Sequence, residues 1–187
     1  MKKIIRLCVN KIAPLFIFSL RFFYSEKYLV GRYFDSSLVG CRWAIKSIWV
    51  RNILRLAPPL PWPAVYSCHI SNPQNIVFHP DDLNNFQSPG TYFQNFKALI
   101  TLGHGTYIGP NVGIITANHE LGDLSSHSEG LDVVIGNSCW LGMNSVIMPG
   151  VVLGDKTIVA AGAVVTKSFP AGRCVIGGVP ARLIKAL

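Results

Sequence analysis

The chain has 187 residues, of which 50% are hydrophobic and 14% are charged, and its formal net charge at pH 7 is +8. This length suits one well-buried domain with an appendage and is too short for two independent enzyme domains. The positive charge indicates an acidic partner. No nucleic-acid-binding motif accompanies it, so we expect an anionic surface or an acidic ligand rather than nucleic acid.

Residues 1–62 form a basic, hydrophobic and aromatic-rich segment, which we predict to be helical. Its apolar stretch from Ile12 to Leu20 is interrupted by a proline and ends at Arg21, well short of the roughly 20 apolar residues that a membrane-spanning helix needs. No small-residue cleavage site follows, so neither a membrane span nor a signal peptide is predicted. Peripheral membrane contact of residues 1–60 and packing between subunits remain two open alternatives.

Within this segment, residues 36–56 are predicted to form one helix. Asp35 or Ser36 would be its N-cap, and the sequence APPLPWP would stop it. Its apolar residues lie on several sides, so the helix requires more than one apolar neighbour.

Residues 63–187 contain a six-residue repeat. An aliphatic residue recurs at Ile135, Leu141, Ile147, Leu153, Val159 and Val165, and upstream in the same frame at Leu102, Ile108 and Ile114. A period of six fits neither an α-helix nor simple strand alternation, but it is typical of short strands joined by turns in a three-sided solenoid. Residues 120–132 interrupt the repeat and are predicted to be an inserted loop.

The two ends of the repeat region are less regular. Weaker repeats around Ile70 and Ile76 are interrupted by HPDDLNNFQSPG, whose composition predicts turns. The final GGVPARLIKAL predicts a Gly-Gly turn followed by a short helix.

The five cysteines are widely spaced and form no C-x-x-C pair, which favours a reducing cytoplasm. Cys139 occupies a repeat position that small residues fill elsewhere. We therefore interpret it as a core residue rather than a nucleophile.

Three stretches carry a more specific signal: IGPNVGIITANHE, VVIGNSCWLGMNSVIMPGVVLGDKTIVAAGAVVTKSFP and VIGGVPARLIK. Together they make residues 99–187 resemble the hexapeptide-repeat acyltransferases, in particular the maltose and galactoside acetyltransferases and their surface-polysaccharide O-acetyltransferase relatives. The resemblance implies a left-handed parallel β-helix, here an all-β fold with an N-terminal helical segment and a short C-terminal helix. It also implies a homotrimer and acetyl-coenzyme A (acetyl-CoA) as co-substrate.

His119 closes the repeat IITANH where the chain leaves the solenoid, and the resemblance implies that it is the catalytic base. A mostly neutral imidazole can accept the proton of an attacking hydroxyl, and a loop beside a rigid scaffold can wall a cleft. Its orienting partner stays open among Glu120, Asp123, Glu129 and a backbone carbonyl.

The resemblance implies further site residues. A backbone N–H between Trp140 and Gly142 would stabilise the oxyanion, and Asn95 would lie in the acceptor site, with Gln94 and Tyr92 as alternatives. The residues implied to bind acetyl-CoA are Trp140, Gly142, Ala160, Thr166, Lys167, Pro180, Arg182 and Lys185. Among them, Arg182 and Lys185 are cations suited to phosphate.

We expect no metal. A γ-type carbonic anhydrase shares the solenoid fold and needs three zinc-binding histidines, but its H-x-x-x-x-H pairing is absent. No comparable motif surrounds His69, His79, His104 or His127.

The function expected from these features is O-acetylation of a sugar hydroxyl in surface polysaccharide or glycolipid biosynthesis. The expected location is the cytoplasm, with peripheral contact at the inner membrane. Two alternatives remain: an acetyltransferase for an antibiotic, an amino acid or a nucleotide-sugar amine, and a non-catalytic β-helix scaffold.

Overall fold

The structure is a computed structural model that describes residues 14–187. Part of the predicted basic segment, including Lys2, Lys3, Arg6 and Lys11, lies outside the described residues. The chain divides into two units between Tyr66 and Ser67, slightly later than the boundary predicted after residue 62.

The described part of the first unit contains several short helices joined by turns. Residues 14–20 are helical, and they are followed by a 3-10 helix at Glu26–Tyr28, the α-helix α1 at Val39–Ser47 and a π-helix at Ile48–Ile53. No helix within residues 14–187 is long and apolar enough to cross a membrane.

The predicted helix over residues 36–56 begins later than expected. The carboxylate of Asp35 accepts the N–H of Gly31 at 2.6 Å, and the hydroxyl of Ser37 donates to the carbonyl of Arg32 at 3.1 Å. These side chains close a turn and do not cap the helix, so the prediction that Asp35 or Ser36 is the N-cap was wrong. Leu38 precedes the helix without a side-chain cap.

Two buried polar side chains link separate segments of this unit, Arg51 at the proline-rich end and Tyr24 at α1. Arg51 is 2% exposed and donates to the carbonyls of Pro58, Ala64 and Val65 at 2.6, 3.3 and 2.6 Å. Tyr24 donates to the carbonyl of Ala44 at 3.1 Å, and burial raises its pKa to about 12. Both contacts supply partners for polar groups that would be costly to bury alone.

The second unit is a parallel β-helix with three sheets. Its strands are β1 (His69–Ile70), β2 (Ile76–Val77), β3 (Tyr92–Gln94), β4 (Ile100–Leu102), β5 (Tyr107–Ile108), β6 (Gly113–Ile115), β7 (Val133–Ile135), β8 (Trp140–Leu141), β9 (Val146–Ile147), β10 (Val152–Leu153), β11 (Ile158–Val159), β12 (Val164–Val165), β13 (Cys174–Gly178) and β14 (Ala181–Ala186).

The chain visits the three sheets in turn. Sheet 1 contains β1, β3, β6, β9 and β12; sheet 2 contains β2, β4, β7 and β10; sheet 3 contains β5, β8, β11, β13 and β14. Strands of successive coils pair in parallel, for example Ile114 with Ile147 and Ile108 with Leu141. Each coil therefore lies directly on the preceding one.

The predicted repeat positions form the core of this solenoid. All nine aliphatic residues of the repeat are at most 4% exposed, and most are at 0 or 1%. The six-residue period therefore predicted the inward-facing positions correctly, because each short strand contributes one such side chain to the interior.

In the first coil, the segment HPDDLNNFQSPG contains a 3-10 helix, whereas the sequence predicted turns. A 3-10 helix at Pro80–Gln87 replaces a strand of sheet 3, with His79 before it. Its buried Asn85 donates to the carbonyl of Thr106 at 2.8 Å and accepts the N–H of Ile108 at 3.0 Å. The Asn85 side chain thus forms the hydrogen bonds that a neighbouring strand would otherwise form with the backbone of β5.

The C-terminal segment is a β-hairpin, so the predicted C-terminal helix was wrong. Strand β14 pairs antiparallel with β13 across a turn in which Gly178 has a φ of +95°. Glycine adopts this left-handed conformation without a steric penalty. The hairpin pairs the backbone of β14 with an existing sheet, which a single exposed helical turn would not do.

Candidate active site

His119 lies on the connection between β6 and β7, which spans residues 116–132 and bends back on itself. The N–H of Ser128 donates to the carbonyl of Asn118 at 2.8 Å, and the N–H of Glu120 donates to the carbonyl of Ser126 at 3.1 Å. His119 and His127 form an isolated antiparallel bridge between these two pairs. The loop thus presents His119 on a hydrogen-bonded support.

The tip of the loop is fixed by Asp123. Its carboxylate accepts the N–H and the hydroxyl of Ser125 at 3.0 and 2.6 Å, and these hydrogen bonds, led by that from the hydroxyl, lower the pKa of Asp123. The carboxylate of Asp123 therefore stabilises the turn, and a different group orients the ring of His119.

That group is the carbonyl of Leu124. Nδ1 of His119 lies 2.7 Å from this oxygen. Because a carbonyl only accepts hydrogen bonds, Nδ1 must carry the proton, and in the neutral ring Nε2 then has a free lone pair. Of the alternatives for the orienting partner, the structure selects the backbone carbonyl, and the resulting tautomer is the one a general base requires.

His127 is a second part of this site that the sequence did not single out. Its ring lies 4.2 Å from that of His119, centroid to centroid, and packs edge-on against Phe96 at 4.9 Å. Lys97 donates to the carbonyls of His127 and Ser128 at 2.7 and 3.0 Å, which ties the loop to the body of the solenoid. His127 thus limits the positions that the ring of His119 can adopt.

The predicted acceptor-site residue Asn95 is fully buried. Its amide oxygen accepts the N–H of Asn72 at 2.9 Å, and its amide nitrogen donates to the carbonyls of Asn72 and Asn75 at 2.7 and 3.0 Å. These contacts are those of a framework residue that joins neighbouring coils. We therefore do not include Asn95 in the proposed site.

Gln94, which was an alternative to Asn95, supports the loop that carries His119. Its amide oxygen accepts the N–H groups of Thr116 and Ala117 at 3.1 and 3.0 Å, and its amide nitrogen donates to the carbonyl of Ala117 at 3.0 Å. Gln94 thereby fixes the backbone just before the histidine.

The predicted acetyl-CoA residues lie in two places. One group lies on sheet 3 or beside its strands and consists of Trp140, Ala160, Pro180, Arg182 and Lys185. The other group, Thr166 and Lys167, follows β12 of sheet 1. Trp140 is 56% exposed beside Tyr107, which is 53% exposed, so the outer face of sheet 3 offers a broad aromatic surface.

The cations of this set are accessible to a phosphate. The three cations Lys167, Arg182 and Lys185 are exposed, as is the neighbouring hydroxyl residue Thr166. Arg182 and Lys185 are on β14 rather than on the predicted helix. Ala160 is half-buried, and its N–H donates to the carbonyl of Ile176 at 2.9 Å, which is a backbone contact between successive coils.

The predicted role of Gly142 as an oxyanion donor is not supported. Its N–H donates to the carbonyl of Val159 at 2.9 Å, and that of Trp140 donates to Thr157 at 3.0 Å. A Cβ at Gly142 would lie 2.6 Å from the backbone nitrogen of Ala161. Glycine is therefore required here because the next coil approaches closely.

Cys139 is a core residue, in agreement with its interpretation from the sequence. It is 1% exposed, and burial raises the pKa of its thiol. A buried thiol of this kind is a poor nucleophile.

The two parts of the predicted site are on opposite sides of the solenoid. His119 lies where the chain passes from sheet 1 to sheet 2, and in a three-sided solenoid this corner is opposite sheet 3, which bears Trp140. One chain alone therefore does not bring His119 to the aromatic face around Trp140.

Comparisons with known proteins agree with the repeat. A family model described as bacterial transferase hexapeptide (six repeats) matches residues 132–167. The galactoside O-acetyltransferase of Escherichia coli (strain K12) is 33% identical over 113 residues, which cover 56% of this chain and 55% of that protein. Nodulation protein L of Rhizobium meliloti (strain 1021) is 40% identical over 116 residues, which cover 57% of this chain and 62% of that protein.

A solved structure is also similar. The hexapeptide-repeat-containing acetyltransferase of Vibrio cholerae, complexed with acetyl-CoA, is 35% identical, with 48% of this chain and 50% of that chain covered and a TM-score of 0.45. The matches span about half the length of the curated relatives. The family model and the curated relatives confirm the resemblance to the hexapeptide-repeat acyltransferases, and residues 132–167 are a hexapeptide-repeat segment of the bacterial transferase type.

Proposed function

We propose that this chain is an O-acetyltransferase that moves an acetyl group from acetyl-CoA to a sugar hydroxyl, on a β-helix of left-handed sense. The observation that carries the proposal is the orientation of His119, whose Nδ1 donates to Leu124 at 2.7 Å and leaves Nε2 as a proton acceptor. The galactoside O-acetyltransferase among the relatives supports a sugar as acceptor.

The proposed reaction needs one proton acceptor. Nε2 of His119 removes the proton of the acceptor hydroxyl as its oxygen attacks the thioester carbonyl carbon. The tetrahedral intermediate then collapses, the carbon–sulfur bond breaks, and the imidazolium returns the proton to the departing thiolate. His127 and the Leu124 carbonyl hold the imidazole in one orientation throughout.

The active assembly is proposed to be a homotrimer with sites between subunits. Within one chain, His119 and the aromatic face around Trp140 are on opposite sides of the solenoid. A neighbouring copy that places its sheet 3 against the His119 corner would complete the site. The exposed cations Arg182 and Lys185 on that sheet have the charge to bind the phosphates of acetyl-CoA.

The identity of the acceptor is tested by incubating the purified full-length chain with acetyl-CoA and an acceptor panel while measuring the release of free thiol. We expect turnover with galactosides, maltose or related glycans and none with amino acids, nucleotide-sugar amines or antibiotics. Turnover of amine acceptors alone would contradict the proposal of O-acetylation.

A measurement of acetyl-CoA binding distinguishes an enzyme from a non-catalytic scaffold. A chain that fails to bind acetyl-CoA even near 1 mM, which corresponds to only about 4 kcal/mol of affinity, would be a non-catalytic β-helix. Isothermal titration calorimetry measures this directly and does not depend on knowledge of the acceptor.

We also propose that the first unit docks on an anionic membrane surface at the cytoplasmic face of the inner membrane. An apolar groove of about 300 Å³ lies between residues 16–23 and 45–53, lined by Phe16, Ser19, Leu20, Phe23, Ile45, Ile48, Trp49 and Ile53. Near these residues in sequence, Phe22 and Leu15 are 84% and 73% exposed.

The same unit also carries exposed cations, which are Arg21, Lys27, Arg32, Arg42, Lys46 and Arg55. Mixed apolar and basic surfaces of this kind favour anionic headgroups.

Flotation with anionic liposomes tests the docking. We expect the full-length chain to float at low salt and high salt to weaken the association, since each well-placed Lys or Arg contributes about 1 kcal/mol of screened attraction. The variant Phe22→Ser/Trp49→Ser should float less, whereas Val77→Ser, a change of an exposed apolar residue in the second unit, should not differ from wild type. If the folded wild-type protein stays at the bottom of the gradient, the apolar surface is packed between subunits.

A further inference from the structure

A cluster of two histidines and an aspartate lies at a corner of the solenoid that the proposed reaction does not use. His79, Asp81 and His104 each offer one ligand atom, and the three atoms lie within 4.8 Å of one another. Among the described residues 14–187, this is the one group of three or more histidine, cysteine and acidic side chains with such spacing. The geometry points to a binding site for a divalent transition-metal ion, which we propose here in place of the expectation from the sequence that the chain holds no metal.

The two histidines come from successive coils. His79 follows β2 and His104 follows β4, so both lie where the chain leaves sheet 2. Their ring centroids are 4.2 Å apart, with the planes inclined by 54°. The pairing of β2 with β4 fixes this stacking, because Ile76 lies beside Ile100.

A buried carboxylate orients one of the rings. Oδ2 of Asp82 lies 3.2 Å from Nδ1 of His104 and accepts the N–H of Gly105 at 2.9 Å, and the Asp82 side chain is only 3% exposed. A carboxylate hydrogen-bonded to one ring nitrogen leaves the other nitrogen available, which is the arrangement commonly found behind metal-bound histidines. The His104 ring itself is 58% exposed, so an ion can reach it.

The other two side chains need small movements to complete a site. Nδ1 of His79 accepts the N–H of Asp81 at 3.1 Å and lies 3.8 Å from Oδ2 of Asp81. Its lone pair is therefore engaged, and His79 must give up this hydrogen bond before either of its ring nitrogens can bind an ion. Ligand atoms around a tetrahedral zinc ion lie about 3.4 Å apart, given metal–ligand distances of about 2.1 Å. His79 and Asp81 are 49% and 29% exposed at their side chains, so rotation of either side chain can supply the contraction.

The ligand set indicates which ions would bind. Two imidazoles and one carboxylate suit Zn²⁺, Ni²⁺ or Cu²⁺, whereas Mg²⁺ prefers oxygen ligands. The ion would link the first coil, where a 3-10 helix replaces a strand, to the regular second coil. Its role would be structural, and it is separate from the sheet 1 to sheet 2 corner that carries His119.

Calorimetric titration of the metal-free full-length chain with Zn²⁺ alone tests the site. We expect about one ion per chain, little response to Mg²⁺, and affinity at least about tenfold weaker in His79→Gln, Asp81→Asn and His104→Gln. His69→Gln is the matched control, since His69 is an exposed ring stacked on Tyr92 at 5.1 Å and lies outside the cluster.

Thermal unfolding provides a second measurement. Zn²⁺ should raise the unfolding temperature of the wild type and of His69→Gln, but not that of His104→Gln, because an ion that binds only the folded state stabilises it. Circular dichroism of each metal-free variant shows whether it has folded. The proposal is overturned if Zn²⁺ does not saturate, if the three cluster variants bind it like wild type, or if His127→Gln abolishes binding while they do not.

Discussion

Replacement of His119 by alanine is expected to lower kcat by about 10²- to 10⁴-fold, the range that general-base catalysis contributes. In the structure, the Nδ1 hydrogen bond to Leu124 leaves Nε2 able to accept the proton that the proposed reaction removes, and alanine offers no replacement for that nitrogen. The loss corresponds to about 3 to 5 kcal/mol of transition-state stabilisation. Steady-state measurement of thiol release from acetyl-CoA gives the value.

The affinity for acetyl-CoA is expected to stay close to wild type in His119→Ala, because most of the predicted cofactor residues lie on or beside sheet 3. His69→Ala is the matched control and should retain full activity. Activity of His119→Ala within a few fold of wild type would assign the base to another residue. Loss of acetyl-CoA binding together with activity would instead indicate that the loop at 116–132 had collapsed.

Co-expression of two inactive variants is expected to restore activity if the site lies between chains. His119→Ala lacks the proposed base, and Trp140→Ala lacks the exposed ring on the opposite side of the solenoid. In a closed ring of randomly mixed chains, about a quarter of the sites would take His119 from one chain and Trp140 from the next. The mixed protein should therefore be far more active than either variant alone.

Chains with distinguishable tags allow the mixed assemblies to be purified before the assay. A chain carrying both substitutions, co-expressed with His119→Ala, is the control and should stay inactive, since no site can then contain both residues. If the mixed assemblies form but gain no activity, each site draws both residues from the same chain, and the proposed arrangement is wrong. An active monomer in sedimentation would contradict it independently.

The sequence predicted the core of the second unit because its signal is periodic. One inward residue recurs every six positions, so Ile135, Leu141 and Ile147 identify the repeat and its frame before any contact is known. Their complete burial follows from the stacking of coils. Regular stacking makes each coil repeat the same local arrangement, which is why a linear pattern was sufficient.

The C-terminal hairpin was missed because ARLIKAL fits two structures. As a helix, it has one apolar side; as a strand, it pairs with β13 and leaves Arg182 and Lys185 exposed. Local propensity does not separate these, and the available edge of sheet 3 decides the outcome. Tertiary pairing is not visible in a short stretch of sequence.

The sequence identified His119 as a candidate site residue, but it did not predict the groups that surround this side chain. The orienting group is a backbone carbonyl, which no residue type reveals, and His127 reaches His119 only because the loop folds back between them. Asn95 shows the reverse case, since a polar side chain in a suggestive position proves to be bonded to Asn72 and Asn75 within the framework. Loop closure and burial are both properties of the folded chain.

Both edges of sheet 3 are blocked, which limits the addition of further strands to the solenoid. At one end, Asn85 occupies the hydrogen-bonding positions beside β5 that another strand would use. At the other end, β14 runs antiparallel to the coils and presents Arg182 and Lys185 at the outermost edge. A solenoid with open ends could extend end to end into filaments, because each exposed edge is a template for further strands. At the two ends of sheet 3, a polar side chain and a charged reversed strand oppose the addition of further strands.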